Sequence, residues 1–112
     1  MYILELSEIG KETVWGGNSL ASLYSKPFER VKNIGESWEI CDLKNDKNII
    51  SNGEFKGKTL SYLIENFGEE FLGSNCAEFL KEKYFPLLIK FIDAKDKLSI
   101  QVHPNEEYAN KK

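Results

Sequence analysis

At 112 residues the chain is expected to form one domain at most, spanning 1–112, and 41% hydrophobic content is enough for a core. A formal net charge of −3, with basic residues scattered among acids, argues against nucleic acid as a partner. No apolar run is long enough to span a bilayer and no basic segment leads into a short apolar one, so neither a membrane span nor a signal peptide is expected. Cys41 and Cys76 stand far apart with no CxxC and no histidine close in sequence, and read as a reduced pair without a nucleophilic role.

In chain order, Tyr2 to Leu6 reads as a first strand. Trp15-Gly16-Gly17-Asn18 reads as a turn, since glycine permits positive φ and asparagine tolerates it. Trp15 either packs in the core or offers its ring face to a sugar. Ser19 to Tyr24 reads as a short helix ended by Pro27. Glu36 to Cys41 reads as a strand after Gly35. Glu36, Trp38 and Ile40 share one of its faces, and Ser37, Glu39 and Cys41 the other. Glu36 is therefore either a carboxylate beside Trp38 on a covered face or a solvated edge residue.

Asp42 to Asn48 is a charged turn. Ile49 to Gly53 predicts a strand running into an Asn-Gly hairpin turn. Leu60, Leu63, Ile64, Phe67 and Phe71 recur at helical spacing, which predicts an amphipathic helix with Thr59 as N-cap, a break at Gly68, a second short turn through Phe71 and a stop at Gly73. Its apolar stripe is core.

Phe85 to Ile92 is strongly β, with Lys90 its only charge. Asp93 to Lys97 then turns the chain into Leu98-Ser99-Ile100-Gln101-Val102-His103-Pro104, which alternates apolar and polar without a break. Such alternation marks a half-buried strand whose like residues lie roughly 6.8 Å apart on one face. Ser99, Gln101 and His103 thus form a polar row ending in the chain's only histidine. That row is either a solvated face or a ligand row, with imidazole and amide oxygen as donors. If the two strands pair so that Lys90 lies opposite Gln101, Lys90 joins the row; shifted by one, it faces the apolar side. Pro104 to Ala109 begins a helix, with Glu106 and Glu107 as acids matched to its N-terminus.

Taken together, Leu98 to Pro104 preceded by Phe85 to Lys90, with Val14-Trp15-Gly16-Gly17 and Gly35-Glu36-Ser37-Trp38-Glu39 ahead of them in the same order, resemble the signature of the type I mannose-6-phosphate isomerases (phosphomannose isomerases). The likeness runs from about Glu12 to Ala109. It implies a zinc enzyme on a cupin-type jelly roll (double-stranded β-helix), so that this chain would be mainly β with short helices. It implies Gln101 and His103 as metal ligands, Trp15 and Glu36 in the active-site region, and Lys90 in the substrate pocket, where Lys90 with Ser99 would hold phosphate or a developing oxyanion.

The implied reaction interconverts mannose 6-phosphate and fructose 6-phosphate by moving a proton between C2 and C1. The catalytic base is not named by these residues. The family's remaining ligands, a glutamate and a second histidine, and an arginine come from downstream chain. The 112 residues are therefore expected to be an N-terminal portion with an incomplete site, inactive alone. The rival readings are a non-catalytic cupin-like module that binds a sugar or a metal, and a structural piece that pairs through its strand edges. Expected partners are a small-molecule sugar phosphate and a second copy meeting exposed strand edges, with neither nucleic acid nor membrane, in the cytoplasm.

Overall fold

The structure is a computed structural model and describes residues 1–98 together with Ile100, Val102 and Asn105. Three strands, β1 (Ile9–Gly17), β2 (Ile34–Ile40) and β3 (Ile89–Ile92), form an antiparallel sheet in the order β1-β2-β3. Between β1 and β2 lies the short helix α1 (Ser19–Ser22). Between β2 and β3 lie α2 (Leu60–Phe67), α3 (Glu69–Leu72) and a 3-10 segment over Ser74–Lys81.

The sheet curls at one end. The β1–β2 pairing shifts between Glu12 and Gly17, both of which face Ile34. Past the start of β2, β1 then meets the chain that leaves β3: Gly16 bridges Ala94, and the Gly17 N–H donates to the Asp93 carbonyl at 3.2 Å. Bulges of this kind bend a strand and increase its twist. The expected turn at Trp15-Gly16-Gly17 is thus the irregular end of a strand that the sequence pattern did not reveal.

The core is assembled from α1, the start of β2, the loop after it and one face of α2: Leu20, Ala21, Ile34, Cys41, Ile50, Leu60, Leu63 and Ile64 are buried. α2 starts where expected, because the Thr59 side chain accepts from the Tyr62 N–H at 3.2 Å and satisfies a donor the helix itself cannot. It breaks at Gly68, whose φ is +45°. Cys41 and Cys76 are both free. No helix among the described residues is long and apolar enough to cross a membrane.

Two expected strands are corrected. Tyr2 to Leu6 forms no ladder beyond an isolated Leu6–Ile50 bridge. The Asn52 amide takes the ladder's place: its Nδ2 donates to the Ile3 carbonyl and its Oδ1 accepts from the Glu5 N–H. Ile49 to Gly53 keeps its turn, with Gly53 at φ +69° and the Tyr2 ring against it, but the turn runs on toward α2 without flanking strands. Phe85 to Ile92 shortens to the four residues of β3.

The expected pairing of that run with Leu98 to Pro104, with Lys90 opposite Gln101, falls on residues that lie outside the described ones. Leu98, Ile100 and Val102 lie in no strand, and Ile100 is 98% exposed. Alternation specifies a half-buried strand only where something covers the apolar face, and no described element covers this one. Along its described edge β3 pairs with β2.

Leu63 is 0% exposed, whereas Thr59 contributes one cap. Leu63→Ala is expected to lower the unfolding free energy by about 3 kcal/mol and Thr59→Ala by about 1 kcal/mol. Urea denaturation followed by tryptophan fluorescence checks both; equal losses would contradict this picture of the core.

Candidate active site on the sheet

β2 places Glu36 and Trp38 on one face, because side chains two apart on a strand point the same way. β3 sets Lys90 opposite Trp38, and β1 sets Lys11 opposite Glu36. The four side chains form one cluster. The Lys90 Nζ donates to Glu36 Oε1 at 2.8 Å, and the Trp38 indole N–H donates to Glu36 Oε2 at 3.0 Å. The Lys11 Nζ sits 4.5 Å from the Trp38 ring centroid and donates to Asp46 Oδ1 at 2.7 Å. The sequence signal for Lys11 was lost with β1.

Each oxygen of Glu36 therefore has its own donor, and its side chain is 16% exposed against 34% for Lys90. Burial by itself pushes the Glu36 carboxyl up; hydrogen bonds from Lys90 and Trp38, with the charges of Lys90 and Lys11, outweigh it and hold the group below its ordinary value. The carboxylate is thus ionised and fixed in orientation. An ionised carboxylate offers about four lone-pair positions and an ammonium three donors, so each partner keeps capacity for a polyhydroxylated ligand.

The opposite face carries a second network. The Lys26 Nζ donates to Glu39 Oε1 and, at 3.1 Å, to Glu8 Oε2, while the Ser37 hydroxyl donates to Glu39 Oε2 at 3.2 Å. The Glu39 hydrogen bond is the first cause raising the Lys26 pKa; desolvation opposes it, and Glu8 adds to the rise. Trp15 belongs to this side. Gly35 alternates with Glu36, and a Cβ at Gly35 would lie 2.6 Å from the Trp15 ring, so the ring rests against bare backbone. The Trp15 carbonyl accepts from the Lys95 and Asp96 N–H groups at 2.8 and 3.1 Å and pins the turn that follows β3.

Of the residues singled out from sequence, Glu36 and Lys90 are therefore brought into direct contact, and Trp15 is not brought to them. Ser99, Gln101 and His103 lie outside the described residues, as do Pro104, Glu106 and Glu107. Asn105 is described and has no regular secondary structure. Among the described residues no group of three or more His, Cys, Asp or Glu could hold a metal ion.

A carboxylate with a depressed folded pKa adds stability above its unfolded pKa and loses it as the pH falls through the folded value. The Glu36 contribution is thus complete at neutral pH and disappears on acidification through its depressed pKa. Lys90→Met is expected to raise the Glu36 titration midpoint and to flatten that acid-side loss. Carbon-13 NMR of the glutamate carboxyls across a pH series, with urea melts at its two ends, measures both; an unmoved Glu36 midpoint would mean that Lys90 does not act on it.

Comparison with known proteins gives the family and the fold. The family model for the phosphomannose isomerase type I catalytic domain matches residues 3–112. The chain is 44% identical over 105 residues to mannose-6-phosphate isomerase ManA of Bacillus subtilis (strain 168), covering 89% of this chain and 29% of that protein. It is 40% identical over 98 residues to the mannose-6-phosphate isomerase of Streptococcus mutans serotype c, covering 86% and 28% respectively. The crystal structure of the mannose 6-phosphate isomerase from Bacillus subtilis superposes with a TM-score of 0.76 at 35% identity, over 96% of this chain and 32% of that one. The chain spans under a third of the length of the relatives it matches. The expected fold class, a portion of a cupin-type jelly roll in which a small antiparallel sheet carries short helices, is the class of this structural match.

Proposed function

The chain belongs to the type I phosphomannose isomerases, and from that premise we propose that it contributes the sugar-phosphate-binding part of an aldose–ketose isomerase acting on mannose 6-phosphate and fructose 6-phosphate. The observation that carries the proposal is the Glu36–Lys90 pair, oriented by Trp38 on one face of the sheet. In this reading Lys90 supplies positive charge to an oxygen of the bound sugar phosphate, whether on phosphate or on the carbon skeleton as charge develops there. Glu36 accepts from a sugar hydroxyl and fixes the ring. Ser99 belongs to the proposal as a further hydroxyl donor, whereas Trp15, whose ring rests against Gly35 on the other face of the sheet, stands apart from the pair. The residue that moves the proton between C2 and C1 is not assigned to any of them.

Zinc belongs to the same proposal, with Gln101 and His103 as its ligands. The described residues form no zinc site by themselves. When bound, zinc would supply Lewis-acid polarisation of sugar oxygens. A cytoplasmic setting is likewise proposed, in keeping with a sugar phosphate as substrate.

Two ligands neither encircle a metal nor balance its charge, and a carboxylate–ammonium pair alone does not supply a placed base or exclude water. The pure chain is therefore expected to bind mannose 6-phosphate weakly and not to turn it over. Calorimetry tests the binding: Lys90→Met should lower the affinity roughly tenfold or more, as for loss of one hydrogen bond to a charged group. Zinc should bind weakly and lose its heat in His103→Ala. Zinc-dependent formation of fructose 6-phosphate by the pure chain, abolished by His103→Ala, would show that 112 residues suffice for catalysis.

A homodimer is also proposed, because among the described residues no strand pairs with the outer edge of β3, whose Ile89, Phe91 and Ile92 side chains are exposed. Unpaired edges invite another strand. Light scattering over a concentration series should show mass rising toward twice the monomer; a constant monomer mass would reject it.

A further inference from the structure

Asp42 has a side chain that is 0% exposed, and it is the only buried charged residue among the described ones. Its donors come from three separate places. The Ser61 hydroxyl, on α2, lies 2.7 Å from both carboxylate oxygens. The Lys47 Nζ, from the turn after β2, donates to Oδ1 at 3.0 Å. The Phe85 backbone N–H donates to Oδ2 at 2.7 Å. Phe85 opens the run that leads into β3, and its ring faces Phe71 of α3 at 6.3 Å between centroids. The carboxylate therefore ties the end of β2 both to α2 and to the approach of β3.

That tie lies beside an irregularity of the sheet. The β2–β3 register changes between Trp38 and Ile40, which face Lys90 and Ile89 respectively. All four residues of β3 are exposed, so burial of an apolar face does not fix which way they point. A slip of one residue would turn Lys90 away from Glu36 toward the face of Ser37 and Glu39. The tie is a charge-assisted hydrogen bond to main chain from a solvent-inaccessible carboxylate, which is short, strong and directional. It acts four residues ahead of β3.

We infer that Asp42 sets the register of β3 against β2 by holding the Phe85 amide, and is thereby a positioning residue for the Glu36–Lys90 pair. Its relevance to catalysis rests on the function proposed above; its effect on the register does not. Phosphate-ester binding and strand register are measured separately, so absence of mannose 6-phosphate binding would count against the enzyme reading and leave the register result standing.

Nitrogen-15 and carbon-13 NMR of the full chain carries the test. In Asp42→Asn the Trp38–Lys90 cross-strand NOE is expected to vanish, the Phe85 amide to exchange at least tenfold faster, and the Glu36 carboxyl midpoint to move up as Lys90 departs. In Ser61→Ala, where the Phe85 amide keeps its acceptor, all three should stay unchanged. An intact NOE and an unmoved Glu36 midpoint in Asp42→Asn would overturn the inference. So would loss of both in Ser61→Ala, since burial of the carboxylate would then set the register. Should Asp42→Asn not fold, native-state hydrogen exchange of the unaltered chain decides. The Phe85 amide should exchange with the same opening as the Asp93 amide, which donates to the Gly35 carbonyl across the same pair of strands. A Phe85 amide more than tenfold faster would overturn the inference.

Discussion

The pairing of β2 with β3, which sets Trp38 opposite Lys90, is the constraint on which the candidate site depends. β2 is the central strand, with partners along both edges, and its pleat sorts the surrounding charges onto two faces. Glu36 and Trp38 gather Lys90 and Lys11 on one side, and Ser37 and Glu39 gather Lys26 and Glu8 on the other. Neither network could form if the strand were read one residue out of phase. The buried amide of Asn48 supports the strand where the β2–β3 register shifts, donating to the Trp38 carbonyl at 3.0 Å and to the Ser7 carbonyl at 2.9 Å. A buried main-chain carbonyl without such a donor would carry a desolvation cost comparable to a lost hydrogen bond.

Local periodicity revealed whatever is decided by local geometry. α2 shows at a period of 3.6 because Leu60, Leu63 and Ile64 must face the core together, and Thr59 announces its start. The shared face of Glu36 and Trp38 follows from a period of two. Partner choice does not follow from either. Lys90 meets Trp38 and Glu36 from a strand more than fifty residues earlier, a partnership that no local period announces. Nothing in the residues of either strand encodes that choice. The tie of Asp42 to the Phe85 amide, formed between the two strands, bears on it.

β1 was hidden for a related reason. Gly10, Gly16 and Gly17 look like turn residues, yet they serve close approach: a Cβ at Gly10 would meet the Phe28 ring, and one at Gly16 the Gly35 backbone. Tyr2 to Leu6 has a strand's alternation of partly covered and exposed residues, but Asn52 supplies by side chain the bonds a neighbouring strand would have given. A sequence pattern reports which face is covered; it does not report whether main chain or side chain covers the edge.

The charge balance of the cluster bears on which part of a sugar phosphate it suits. Glu36 and Lys90 neutralise one another, as do Lys11 and Asp46. A phosphate dianion brought to Lys90 would stand beside the Glu36 carboxylate, and like charges about 4 Å apart cost roughly 4 kcal/mol at the effective dielectric of a partly exposed site. A hydroxyl or carbonyl oxygen meets no such repulsion. It can accept from a free Lys90 proton while a neighbouring hydroxyl donates to a free lone pair of Glu36. The pair is thus better matched to the carbon skeleton of the sugar than to its phosphate. There, a cation held by a fixed carboxylate stabilises charge that appears on an oxygen only as the reaction proceeds, without having to reorganise when it does.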